Sequence, residues 1–154
     1  MRVAKFVTVD AVDEEFAARF AQTFADVWRT PDLGKHEAVW SDDIVLVQPM
    51  LGTLRRKRAC RAAFERLFVL VPDLHAVVHS FGHNDTQVFI EFTLSGTYGG
   101  KPIAWRAVDR FTFTNGLVAE RLSFFDAAPL VGILLRRPRG WPRLVRGVGA
   151  LTHR

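Results

Sequence analysis

The chain has 154 residues, 49% of them hydrophobic, and a formal net charge of +5. That is enough chain for one domain with a full core, and no apolar run reaches the roughly 18–20 residues a bilayer crossing needs. Met1-Arg-Val-Ala-Lys-Phe6 lacks the apolar stretch of a signal peptide, and a single cysteine, Cys60, excludes an internal disulfide framework, so the expected setting is a reducing cytoplasm. All 16 acidic residues precede residue 127, while arginines 136, 137, 139, 143, 146 and 154 follow it without an acid. The basic character therefore belongs to the C-terminal segment and gives no support to a nucleic-acid-binding core.

In chain order, Asp13-Glu14-Glu15 suits the first turn of a helix, and Phe16, Phe20, Phe24, Val27 and Trp28 then recur on one helical face. Pro31 opens a second short helix running through Val39-Trp40, and Asp43 to Gln48 reads as a strand stopped by Pro49. Thr53 is placed to cap a helix whose inner face is Cys60, Ala63, Phe64, Leu67, Phe68 and Val71, with Pro72 ending it. Cys60 on that apolar face reads as a buried, inert thiol. Only strands follow: 74–83, 87–98, 102–114 and 117–126, with turns at Asn84-Asp85 and Gly99-Gly100. Helices first and a meander of long strands afterwards predict an α+β fold, a cone-shaped, strongly bent antiparallel sheet wrapped around the N-terminal helices. The domain is expected over 1–130 and a basic tail over 131–154, whose plainer reading is a short helix closing the cone followed by a disordered end.

The hairpin from Trp105 to Asp126 carries the most chemistry. Alternation puts Trp105, Ala107, Asp109, Phe111 and Phe113 on one face, and an acid among aromatic rings costs several kcal/mol unless it is partnered. Thr114-Asn115-Gly116 is read as a three-residue loop, which sets Arg110 against Glu120 and Asp109 against Arg121. The alternative two-residue turn would oppose Arg110 and Arg121, a like-charge pair that disfavours it. In the preferred register Arg121, Ser123 and Phe125 share the inner face with Asp109. Val108, Val118, Leu122 and Phe124 fall on the outer face among Arg106, Arg110, Glu120 and Glu91, a mixture suited to a homodimer interface.

Four stretches then carry a likeness: residues 40–49 (WSDDIVLVQP), 52–59 (GTLRRKRA), 108–120 (VDRFTFTNGLVAE) and 124–130 (FFDAAPL). Over residues 13–130 the chain resembles the nuclear transport factor 2-like superfamily, which includes ketosteroid isomerases, SnoaL-like polyketide cyclases and limonene-epoxide-hydrolase-like enzymes. The resemblance implies an apolar pocket inside the cone. The isomerase set of aspartate base, tyrosine and second aspartate would fall on Gln48, Phe24 and Asp109, so one group of three is kept. In those isomerases the second aspartate stays protonated in an apolar site and donates a hydrogen bond. The epoxide-hydrolase Asp-Arg-Asp set would fall on Phe92, Leu94 and Ser123, and the cyclase aspartate again on Ser123. None of these sets transfers whole.

Asp109 is thus the candidate catalytic residue, with Arg121, Trp105, Gln48, Phe24, Phe92, Leu94, Ser123 and Phe125 expected around the ligand. If Arg121 pairs with Asp109, the carboxylate is ionised; if Arg121 turns outward, burial raises its pKa. A buried ion pair without chemistry is the alternative. No metal is expected: His75, His79 and His83 share strand parity but lie roughly 13 Å apart in succession. No cofactor is implied. Arg55-Arg56-Lys57-Arg58 reads as a solvated helix start rather than an anion site.

Two functional readings remain. The first is a protein that binds a hydrophobic, oxygen-bearing small molecule and acts as an isomerase or cyclase on a polyketide- or steroid-like compound. The second is a non-catalytic interaction module whose basic tail meets a membrane surface or an acidic partner; specific nucleic-acid binding has no stacking platform to support it.

Overall fold

A computed structural model describes residues 8–149, with side chains to residue 146; the last five residues of the expected tail lie outside the described residues. Helix α1 (Glu14–Val27) begins where the Asp13 carboxylate accepts the Phe16 N–H at 2.8 Å, and it buries Ala17, Phe20, Ala21, Phe24 and Val27. Helix α2 (Leu33–Val39) starts from Asp32 rather than Pro31. Strand β1 (Trp40–Gln48) turns through Met50 and Gly52, both at positive φ, into a short strand β2 (Gly52–Arg55). Thr53 therefore lies in β2, opposite Val47, and caps nothing. Helix α3 (Lys57–Leu70) instead starts at Arg56, whose φ is 71°, with no side-chain cap.

Strands β3 (His75–His83), β4 (Val88–Tyr98), β5 (Lys101–Thr114) and β6 (Leu117–Phe124) form the predicted meander. The sheet order is β2-β1-β6-β5-β4-β3. All pairings are antiparallel except β1–β6, which is parallel, so the sheet is mixed rather than wholly antiparallel. Its inner face meets α1 and α3: the Phe24 ring lies 4.9 Å from Phe92 and 5.7 Å from Phe111, and Phe64 lies 5.0 Å from Trp40. The expected α+β fold of helices against one face of a bent sheet is the one observed.

The β5–β6 hairpin departs from the predicted register. Thr114 pairs with Leu117, so the loop is the two-residue Asn115-Gly116 turn, with φ of 53° and 75°, and the Asp10 carboxylate accepts both loop N–H groups at 3.0 and 2.7 Å. Phe113 then pairs with Val118 but Thr112 with Glu120, which leaves Ala119 as an extra residue in a β-bulge. The bulge shifts every later pair: Phe111 faces Arg121 and Asp109 faces Ser123. The two-residue turn itself sets Val118 opposite Phe113 and so inward, at 2% exposure, against its expected place on the outer face. Without the extra residue, the turn would carry Glu120 and Leu122 to the inner face. With it, Arg121 and Ser123 arrive there.

Beyond β6, helix α4 (Ala127–Arg136), a 3-10 turn (Pro138–Gly140) and helix α5 (Trp141–Gly149) fold back over the sheet. Arg137 Nη1 donates to the carbonyls of Tyr98, Lys101 and Pro102 at 3.0–3.1 Å. Tyr98 Oη and Trp141 Nε1 both donate to the Leu134 carbonyl, at 3.2 and 3.3 Å. Pro138 and Pro142 do break the segment, as their type requires, yet the helices they separate are docked.

Candidate functional site

The alternation of β5 brings Ile103, Trp105, Ala107 and Asp109 to the inner face, and β4 adds Phe92 and Leu94. With α3 on the other side, these residues enclose a cavity of about 310 Å³. Asp109, Arg121 and Ser123 are its buried polar patch, and Trp28, Phe64 and Leu67 continue an apolar wall. The turn Pro49-Met50-Leu51 stands at its mouth, where Met50 and Leu51 are half exposed. Leu130 and Leu134 of α4, with Arg143 and Leu144 of α5, close the far side.

Asp109 is fully buried and has two partners. Arg121 Nε donates to Oδ2, and Ser123 Oγ donates to Oδ1 at 2.6 Å. Arg121 is itself only 6% exposed, and its guanidinium carbon sits 5.8 Å from the Trp28 ring and 5.7 Å from the Phe64 ring. The two alternatives for Asp109 thus coincide in one site: the arginine points inward and pairs, yet burial still pushes the carboxyl above its ordinary range, with Arg121 and Ser123 pulling the other way. A desolvated carboxylate of this kind holds a proton more strongly than one in water. Because Arg121 reaches Asp109 through Nε, its Nη groups have no hydrogen-bond partner among the described residues.

Behind this wall lies His36, 3% exposed, its ring edge-on to Trp28 at 4.5 Å and tilted on Phe64 at 4.9 Å. Its Nε2 has no hydrogen-bond partner among the described residues, and burial together with the nearby Arg121 charge lowers its pKa to about 3. His36 is therefore a neutral aromatic packing element at ordinary pH.

Of the residues singled out in the sequence, Asp109, Arg121, Ser123, Trp105, Gln48, Phe92, Leu94 and Phe125 all line the cavity. Phe24 does not: it is packed between Trp28, Phe92 and Phe111 in the core and lies outside the cavity lining. Arg110 does pair with Glu120 at 2.9 Å, diagonally across the bulge rather than directly opposite. Sequence reasoning missed Trp28 and Phe64 as wall residues, the 49–51 turn and the contribution of α5, while a short helix closing the cone was its plainer reading of the segment that α4 fills. Trp28 and Phe64 were legible as inner faces of amphipathic helices, whereas α4 had only the Leu130, Ile133 and Leu134 spacing to announce it. Cys60 is buried, with its pKa pushed up to about 11 by burial, so it remains a thiol. No cluster of metal-ligating side chains occurs among the described residues.

Residues 21–121 match the SnoaL-like domain, about two-thirds of the chain. The chain belongs to the SnoaL-like family. Its fold is similar to that of AclR from Streptomyces galilaeus, a candidate hydroxylase, at 20% identity over 82% of this chain and 87% of that one, with a TM-score of 0.68. A candidate SnoaL-like polyketide cyclase from a Jannaschia species superposes with a TM-score of 0.67 at 15% identity, over 85% of this chain and 95% of that one. A limonene-epoxide-hydrolase-like epoxide hydrolase from M. tuberculosis gives 0.63 at 20% identity, covering 89% and 95%. At such identities the likeness is one of fold, and activities do not travel with it. No curated protein matches this SnoaL-like chain in sequence.

Proposed function

We propose that the chain binds a small, hydrophobic, oxygen-bearing ring compound in this cavity and that Asp109 and Arg121 act on it together, as an isomerase or cyclase of polyketide-like compounds would require. The observation that carries this reading is a desolvated carboxylate and an incompletely used guanidinium side by side on the wall of an otherwise apolar, ligand-sized hollow; ligand pockets begin at roughly 300 Å³. Asp109 takes a proton from a C–H next to a ring carbonyl. The electron pair moves onto the carbonyl oxygen, and the Arg121 Nη donors hold the enolate that results. Where a neighbouring C=C extends this to a dienolate, return of the proton to the far carbon of that double bond shifts the double bond and isomerises the compound. Attack of the enolate carbon on a second carbonyl of the same molecule closes a ring, and the new alkoxide takes the proton from Asp109.

The test is solvent deuterium uptake at the α carbons of 2-tetralone, followed by proton NMR. Uptake above the buffer rate that Asp109→Asn abolishes supports the reading; equal rates for the two proteins overturn it.

The outer sheet face, with Phe124 at 52% and Val108 at 37% exposure beside the Arg106–Glu91 and Arg110–Glu120 ion pairs, supports a homodimer through that surface. The alternative role of the basic segment rests on exposed Leu135, Trp141 and Val145 among Arg136, Arg139, Arg143 and Arg146. Deleting the segment would open the cavity as well, so its test is Trp141→Ser with Val145→Ser and sedimentation with phosphatidylserine vesicles; unchanged sedimentation rejects membrane contact. No helix among the described residues is long and apolar enough to cross a membrane.

A further inference from the structure

The cavity has a charge imbalance that the Asp109 chemistry leaves unused. Three arginines line it, Arg66, Arg121 and Arg143, against a single carboxylate, Asp109. Arg121 is paired with that carboxylate. Arg66 of α3 and Arg143 of α5 have no salt bridge among the described residues, whereas Arg19, Arg61, Arg106 and Arg110 each meet a glutamate. No acid stands on α4 or α5 to neutralise Arg143, because residues 127–154 contain none. Half-buried Arg66 and exposed Arg143 thus border the hollow without an acidic partner among the described residues, and their net positive charge favours an incoming anion.

From this we infer that the ligand is an amphiphile with an anionic group: its oxygen-bearing ring sits against Arg121 and Asp109, and its acidic end is received by Arg66 and Arg143. This rests on the proposed reading of the cavity as a ligand site, and it narrows the ligand class to ring compounds that carry a carboxylate or an equivalent oxyacid. A guanidinium offers planar, paired N–H donors that match such a group. The apolar Met50 and Leu51 between solvent and wall would contact the uncharged body of the molecule.

Calorimetric titration with 6-hydroxy-2-naphthoate and with its methyl ester tests the inference, because both present the same ring and hydroxyl and only one is charged. The acid is expected to bind about tenfold more tightly than the ester at low salt, a difference of about 1.4 kcal/mol. Arg66→Gln combined with Arg143→Gln should erase that preference, with an unchanged circular dichroism spectrum and melting temperature certifying that the variant is folded. Equal binding of acid and ester by the unaltered protein, or a preference that survives the double substitution, overturns the anionic end. In either of those cases, weaker ester binding by Asp109→Asn would leave the Asp109 contact standing, so the two proposals fail separately.

Discussion

Replacing His36 with phenylalanine should flatten the acid side of the protein's stability curve. In the folded chain the ring stays neutral down to about pH 3, whereas the unfolded chain takes up a proton near 6.5. Between those values the unfolded state binds more protons, so stability falls as pH falls, by about 1.4 kcal/mol per pH unit and about 5 kcal/mol over the whole span. A loss of that size rivals the roughly 5–15 kcal/mol by which a domain is stable. Asp109 acts with the opposite sign: burial raises its folded pKa, so the folded state takes up a proton first and gains stability as pH drops through that value. Urea unfolding followed by circular dichroism at pH 7, 6 and 5 separates the two. The unaltered protein should lose stability steadily below pH 6.5. His36→Phe removes the orphaned Nε2 while keeping a ring against Trp28 and Phe64, so it should match or exceed wild-type stability at pH 7 and show no such loss. An unchanged slope in the variant would refute the buried neutral histidine.

Two further predictions concern packing. A Cβ on Gly140 would sit 2.2–2.7 Å from three ring atoms of Tyr98, so Gly140→Ala should cost about 1–3 kcal/mol and lower the melting temperature, read by scanning calorimetry; no change would mean the α4–α5 corner is not docked as described. Val108→Lys with Phe124→Asp should convert a dimer into a monomer in sedimentation velocity without loss of helicity; a wild-type protein that already sediments as a monomer would contradict the outer-face interface.

Much of this fold was legible in the chain because its signals are local and agree with one another. The phenylalanine spacing of residues 16–28, the Pro72 stop and the alternating strands after Leu74 each dictate one element, and all appear within a residue or two. The misses share a physical cause, which is that they depend on partners distant in sequence. The charge rule chose the loop that opposes Asp109 and Arg121, yet a bulge at Ala119 lets a two-residue turn coexist with inward Arg121 and Ser123. No turn chemistry encodes that extra residue. Core packing favours the combination, since Val118 and Phe113 gain a common buried layer while the polar pair stays beside Asp109. Thr53 looked like a cap, but its backbone is needed to pair β2 with β1. The C-terminal segment looked like a charged tail because arginine dominates its composition. Its docking rests on Arg137 meeting three carbonyls around the β4–β5 turn and on Gly140 fitting against Tyr98, neither of which composition can announce.

A functional cavity requires that the buried carboxylate meet the polar atom of something held there. Titrating the protein with 2-naphthol and with naphthalene, by quenching of the cavity-lining Trp28 and Trp105, isolates that contact, because the two differ by one hydroxyl. Naphthol should bind about tenfold more tightly, the worth of one hydrogen bond to a charged acceptor, and Asp109→Asn should shrink that ratio with little effect on naphthalene. If neither compound binds, or if the ratio is the same with asparagine in place, the cavity is not the site described.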